Sequence, residues 1–303
     1  MDTGVDIGGV HLENPVITAS GTFGYAAEYR DFMDLDALGA VVVKGLSLKP
    51  SVGNPMPRVV ETHGGLLNAV GLENVGVERF ITDKLPFLQG LACPVFVNIY
   101  GKTVEEYAEL AAVIDGLSGI TGVEVNISCP NVAAGGSAFG VDPEAAFKVV
   151  QGVRRSFSRH VMVKLSPNVT DITAIALAVE RAGADSISLI NTLTGLAIDS
   201  ETAAPMLANV TGGLSGPAIK PVALRMVWQV AGVVKVPVIG IGGIMTASDA
   251  LEFIIAGATA VQVGTATLAD PDAPLRIVRG IRKFMERKNI ERLSQIRGTL
   301  KVL

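Results

Sequence analysis

A short apolar run, a polar or glycine-rich turn and a longer segment with apolar residues at three-to-four spacing follow one another about eight times along the 303 residues. The apolar runs are Pro15–Ser20, Ala40–Gly45, Pro94–Tyr100, Gly122–Ser128, Val161–Ser166, Ser186–Asn191, Val236–Gly242 and Ala260–Gly264. Between them, Val104–Leu117, Pro143–Ser156, Asp171–Ala182, Pro221–Val233 and Ala247–Ala256 have helical periodicity, and Asp142-Pro143-Glu144 and Thr170-Asp171 have the composition of helix starts. Strands alternating with helices imply a parallel sheet. Hydrophobic residues make up 49% of the chain and aromatics only 5%, so the apolar mass is aliphatic, as strands buried on both faces require. Eight units of roughly 30 residues fit a closed (β/α)₈ barrel of about 250 residues with insertions better than an open doubly wound sheet. Val5–Ile7 and Val10–Glu13, around Gly8-Gly9, read as a small hairpin placed to plug the barrel bottom.

No composition shift marks a second domain, so residues 1–303 are read as one unit. Two connections are long and lack helix character: Leu46–Asn74, and the Gly- and Ala-rich Ser128–Val141. Such loops after barrel strands usually carry function. The net charge of −4 gives no general attraction for nucleic acid. The most apolar long stretch, Val227–Met245, is broken by Lys235, Pro237 and glycines and reads as strand and turn rather than a membrane span. The opening Met1-Asp2-Thr3 lacks a basic-then-apolar leader, so a cytoplasmic, reducing location is expected. Two cysteines, Cys93 and Cys129, are too few for a four-Cys iron–sulfur cluster. His11, His63 and His160 show no metal-ligand spacing.

In such a barrel the chemistry lies at the C-terminal strand ends. There the sequence places Ser20-Gly21-Thr22, Lys44-Gly45, Asn98, Asn126 running into Ser128-Cys129-Pro130-Asn131, Lys164, Asn191-Thr192, Gly242-Gly243 and Gly264-Thr265. An asparagine at a strand end is by itself an ordinary loop residue. A lysine inside an apolar run is not, because a buried ammonium needs a partner. Gly242-Gly243 and Gly264-Thr265 lie in the loops where these barrels hold phosphate, with Gly216 as a further backbone donor. Lysines near the pyrimidine edge of a flavin would stabilise the negative charge of the reduced ring.

Together these segments resemble the catalytic subunits of class 1 dihydroorotate dehydrogenases. The resemblance is carried by Ala19-Ser20-Gly21-Thr22-Phe23-Gly24, Val43-Lys44-Gly45, Gly53-Asn54-Pro55-x-Pro57-Arg58, Leu67-Asn68-Ala69-Val70-Gly71-Leu72, Val97-Asn98-Ile99, Asn126-Ile127-Ser128-Cys129-Pro130-Asn131, Val163-Lys164-Leu165-Ser166-Pro167, Asn191-Thr192 and Gly240-x-Gly242-Gly243-Ile244. It implies FMN held by Ser20, Lys44, Gly45, Asn98, Asn126, Lys164, Ile190, Gly216, Gly242, Gly243, Gly264 and Thr265. It implies dihydroorotate or orotate held by Lys44, the loop Asn68, Ala69, Val70, Gly71 and Leu72, and Asn126, Asn191 and Thr192, with Cys129 as catalytic base. Cys129 would take the C5 proton while hydride passes from C6 to the flavin, and Ala133–Gly140 would form a lid. The opening of the chain, the Gly53–Arg58 loop and Gly65-Leu66-Leu67-Asn68 are similar to type 1B. That type implies a homodimeric core paired with an electron-transfer subunit carrying FAD and a [2Fe–2S] cluster and delivering electrons to NAD⁺. The competing readings are a fumarate-using type 1A enzyme, a dihydropyrimidine dehydrogenase subunit, a tRNA dihydrouridine synthase and a non-enzymatic phosphate-binding scaffold. The last has no reason to bury two lysines.

Overall fold

A computed structural model describes residues 1–128 and 139–302. The Cys129 site and most of the Ala133–Gly140 segment expected to form a lid lie outside these residues; Phe139 and Gly140 belong to a single 3₁₀ turn, Phe139–Val141. The strands, in chain order, are β1 (Val5–Asp6), β2 (His11–Leu12), β3 (Val16–Thr18), β4 (Val41–Leu46), β5 (Val59–Thr62), β6 (Gly65–Asn68), β7 (Val95–Ile99), β8 (Gly122–Asn126), β9 (His160–Leu165), β10 (Ser186–Leu189), β11 (Leu193–Leu196), β12 (Ile198–Asp199), β13 (Ala204–Pro205), β14 (Thr211–Ser215), β15 (Val238–Ile241) and β16 (Ala260–Val263). Eight of them form one sheet in the order β3-β16-β15-β10-β9-β8-β7-β4, and neighbouring strands within it pair in parallel. A bridge between Ile17 and Ala40, with the Thr18 N–H donating to the Ala40 carbonyl at 3.3 Å, joins the two outer strands and closes the barrel.

Helices at Val104–Asp115, Pro143–Ser156, Ile172–Arg181, Lys220–Ala231 and Ala247–Ile255 fall where the three-to-four spacing predicts them. Pro143–Ser156 buries Ala146, Val149, Val150 and Val153, one stripe of a 3.6-residue helix. It starts where the Asp142 carboxylate accepts the Ala145 N–H at 2.7 Å and Pro143 occupies the first turn, whose N–H groups lack helical partners anyway. One expectation changes: Val227–Met245 opens as the last turn of the helix Lys220–Ala231 before turning into β15.

Strand alternation sorts side chains into two apolar clusters. On β9, Val161, Val163 and Leu165 face the helices, while Met162 faces the barrel interior with Ile17, Val42, Phe96, Ile239 and Ala260. The β1–β2 hairpin adds fully buried Ile7 and Leu12 to that interior cluster, which makes it the plug the sequence suggested. The Leu46–Asn74 connection is more ordered than its composition predicts. It contains β5 and β6, which join β11 and β14 in an antiparallel sheet of order β11-β14-β6-β5 beside the barrel mouth.

Candidate active site

Towards the C-terminal strand ends the interior turns polar. Asn98 of β7 and Glu124 of β8 are register partners, and Asn126 of β8 partners Lys164 of β9, which partners Ser188 of β10. Glu124 is fully buried and collects the neighbouring side chains. Its Oε1 accepts from Asn98 Nδ2 at 2.7 Å and from Ser20 Oγ at 3.3 Å. Its Oε2 accepts from Gln262 Nε2 at 2.6 Å and from Ser188 Oγ at 3.0 Å. Lys164 Nζ stands 4.0 Å from Oε1, at the outer limit of an ion pair. Sequence reasoning asked for a partner to Lys164 but did not single out Glu124, Ser188 or Gln262. The signal was the one that marked the lysines: a polar residue inside an apolar run.

Lys44 is placed differently. The register of β4 against β7 slips between Val43 and Leu46, and such irregularities re-aim side chains. The Lys44 N–H donates to the Gly24 carbonyl at 2.7 Å. Its ammonium is half-buried and makes no hydrogen bond or ion pair among the described residues. Burial pushes its pKa below the ordinary lysine range; Glu73 opposes the shift and Arg58 adds to it. Gly45 sits against Asn98, since a Cβ there would come within 2.9 Å of Asn98 Oδ1.

The remaining predicted residues complete the same rim. Asn126 Oδ1 accepts the Ser128 N–H at 3.1 Å and lies 3.4 Å from Asn191 Nδ2. The Thr192 N–H donates to Asn191 Oδ1 at 2.8 Å. Ile190 continues from β10 with its N–H on the Ile241 carbonyl, beside Gly242. Gly216, Gly242 and Gly243 have φ of 98°, 126° and 72°, a region that favours glycine. Cβ atoms there would strike Gly65, Ala223 and Lys220 at 2.7 Å. Thr265 Oγ1 donates to Ser215 Oγ at 2.9 Å, next to Gly216, and Gly264 packs on Ala19. Beyond Gly243, Thr246 and Asp249 form a capping box at the N-terminus of Ala247–Ile255.

The Asn68–Leu72 loop is strapped in place. Asn68 Nδ2 donates to the Gly213 carbonyl at 3.2 Å, Asn54 Nδ2 to the Ala69 carbonyl at 2.9 Å and Asn54 N–H to the Val70 carbonyl at 3.0 Å. Asn74 Nδ2 and the Tyr100 hydroxyl both donate to the Leu72 carbonyl, at 2.9 and 3.0 Å. Gly71 and Leu72 both have positive φ. The arrangement offers two cations, amide edges and a glycine-walled cradle, suited to a planar polar ring with an anionic tail.

Residues 3–285 match the family model described as dihydroorotate dehydrogenase. The chain is 60% identical over 301 residues to a protein of Geobacter sp. (strain M21) named dihydroorotate dehydrogenase B (NAD(+)), catalytic subunit, with 99% of each chain covered. Proteins of the same name from Geobacter sulfurreducens and Trichlorobacter lovleyi are 58% and 59% identical, covering 99% and 98% of this chain and 99% and 97% of theirs. A solved structure described as DHODH from Eimeria tenella in complex with ferulenol superposes with a TM-score of 0.81 at 22% identity, covering 98% of this chain and 88% of the other, a likeness of fold. On this evidence of sequence, over nearly its whole length, the chain belongs to the dihydroorotate dehydrogenase family.

Proposed function

We propose that this chain is the catalytic subunit of an NAD⁺-linked dihydroorotate dehydrogenase, oxidising dihydroorotate to orotate in pyrimidine synthesis with one FMN per chain. The observation that carries the reading is the barrel rim itself: Lys164 buried against Glu124 at 4.0 Å, and Lys44 half-buried with its ammonium free of partners among the described residues. A rim of this kind has little purpose without an electron-rich ligand to meet it. The residues fit FMN. Gly216, Gly242 and Gly243 have positive φ and pack so closely on Gly65, Ala223 and Lys220 that a Cβ would collide, which leaves bare backbone, with Thr265 against Gly216, as an anion-binding turn requires. Asn98 and Lys164 offer polar groups deeper in the mouth, suited to a ring edge.

FMN, when bound, supplies the hydride acceptor. Lys164 would present its positive charge to the ring of a bound FMN and so favour the negative charge that reduction adds. Lys44, with Asn126, Asn191 and the strapped Asn68–Leu72 loop, binds and orients the anionic substrate. Cys129 follows Ser128, whose N–H is held by Asn126, and takes the substrate proton as thiolate. The electron-transfer partner, with its FAD and [2Fe–2S] cluster, the homodimeric core and a cytoplasmic location complete the reading. It is supported by the name the close relatives bear; no helix among the described residues is long and apolar enough to cross a membrane.

The test is anaerobic reduction of the purified protein. The protein is expected to be yellow and to bleach with dihydroorotate but not with dihydrouracil. Cys129→Ala is expected to keep its FMN and to bleach about 10²–10⁴-fold more slowly. A colourless protein that refuses FMN overturns the function, and unimpaired bleaching in the variant overturns the base. Addition of a cluster-bearing flavoprotein should confer NAD⁺ reduction; turnover with fumarate in its place would reassign the electron acceptor.

A further inference from the structure

Glu124 is the most enclosed ionisable side chain of the barrel mouth, and its surroundings are unusual in kind. Four neutral donors, from Ser20, Asn98, Ser188 and Gln262, occupy its two oxygens at 2.6–3.3 Å. A carboxylate offers about four lone-pair sites. They are filled before Lys164 arrives, so the ammonium is kept at 4.0 Å rather than captured in a direct hydrogen bond. Its N–H groups are uncommitted among the described residues. The same contacts set the Asn98 amide. Its NH₂ end is spent on Glu124, and its oxygen faces the Gly45 backbone, where a Cβ would come within 2.9 Å.

We propose that Glu124 is a positioning residue for the flavin, an inference that rests on the FMN reading above. It is the counter-charge that lets Lys164 remain buried, and it holds that lysine without consuming its donors. It also fixes the Asn98 amide, with the oxygen turned to the Gly45 backbone. The carboxylate thereby offsets the pull of Lys164 on the reduced ring and lowers the flavin midpoint potential. Removing its charge while retaining the side-chain shape shifts the couple toward the reduced form.

The experiment measures the FMN midpoint potential of the holoprotein against a reference dye, for wild type, Glu124→Gln and Glu124→Asp. At a fixed ambient potential the reduced-to-oxidised ratio is expected to rise about tenfold in Glu124→Gln, roughly 30 mV for a two-electron couple. Glu124→Asp keeps the charge and is expected to stay within about threefold of wild type. A ratio unchanged or lowered in Glu124→Gln, or an equal shift in Glu124→Asp, overturns the proposal, because a merely structural role would not separate charge from shape. Should Glu124→Gln fail to fold, the exchange Glu124→Gln/Gln262→Glu keeps one carboxylate and one amide in the cluster but moves the charge away from Lys164. It is expected to show a smaller rise, and a wild-type ratio there overturns the proposal. Wild-type protein that takes no FMN defeats the functional reading. Yellow wild type with unshifted variants defeats only the role of Glu124.

Discussion

Lys44 and Lys164 are both lysines set in apolar strands, yet the fold meets their burial differently. Lys164 receives a counter-charge at 4.0 Å, whereas Lys44 has no ion-pair partner among the described residues and its pKa is pushed down, chiefly by burial. The Lys44 ammonium is lost, as pH rises, earlier than the ordinary lysine value of about 10.4. An anionic ligand held by it should therefore weaken by about tenfold per pH unit above that lowered pKa. Orotate affinity, read from the flavin spectrum between about pH 7 and 10.5, is expected to show this alkaline limb, and Lys44→Met is expected to flatten it. A limb of equal size in Lys44→Met would assign the titration to another group. The lysines were legible in the sequence because ammonium groups are out of place in apolar runs. Glu124 was equally legible in principle, in Val123-Glu124-Val125, but it draws attention only once the strands are paired.

Two loop systems make the rim specific. In the first, Asn74 is buried and ties the Asn68–Leu72 loop, proposed above to hold substrate, to the barrel: the two N–H groups of its Nδ2 are shared among Leu72 O, Ser47 Oγ and the Tyr100 hydroxyl, each at 2.9 Å, and its Oδ1 accepts the Gly76 N–H at 2.9 Å. Asn74→Ala leaves these groups short of partners, at about 1–3 kcal/mol. It should raise KM for dihydroorotate several-fold while FMN content stays at wild-type level; steady-state kinetics and the flavin-to-protein absorbance ratio check both halves. In the second, Gly243 has φ of 72°, and an added Cβ would lie 2.8 Å from the Lys220 backbone nitrogen. Lys220 is itself fixed by Asp249 at 2.6 Å and Glu252 at 2.9 Å, so the loop cannot easily give way. Gly243→Ala should weaken FMN binding at least tenfold, measured by fluorescence quenching on reconstitution of the apoprotein. The glycine pair was visible in sequence. The β5–β6–β14–β11 sheet was not, because its strands come from two connections more than a hundred residues apart and its pattern is polar and glycine-rich.

The barrel separates what holds it together from what it does. Its lower interior is apolar and closed by the β1–β2 plug, while its upper interior carries the polar cluster. Leu12→Ala should therefore cost about 2–5 kcal/mol of stability, seen in denaturant unfolding, with the flavin potential unchanged. His160 lies near the plug, its Nε2 2.8 Å from Ser186 Oγ and its ring edge-on to Phe96. Burial lowers its pKa, with Asp185 opposing. The folded chain thus declines a proton that the unfolded chain binds near about pH 6.5. This contribution is intact above that pH and is lost as pH falls through it toward the lower folded value. His160→Gln should flatten the decline of Tm between about pH 7 and 5; an undiminished slope would place the acid sensitivity elsewhere.

The chain's periodicity carries the eight strands and most of the helices between them, because burying an aliphatic strand on both faces or a helix on one stripe is a local requirement written residue by residue. The same holds for Lys44, Lys164, the asparagines and the glycine pairs, each conspicuous against its neighbours. Which of these meet could not be read that way. Glu124 finds Ser20, Asn98, Ser188 and Gln262 across strands up to 138 residues away, through a register set by barrel closure. The charge balance of the site exists only in that closed arrangement, since no short segment holds both the cation and the groups that restrain it.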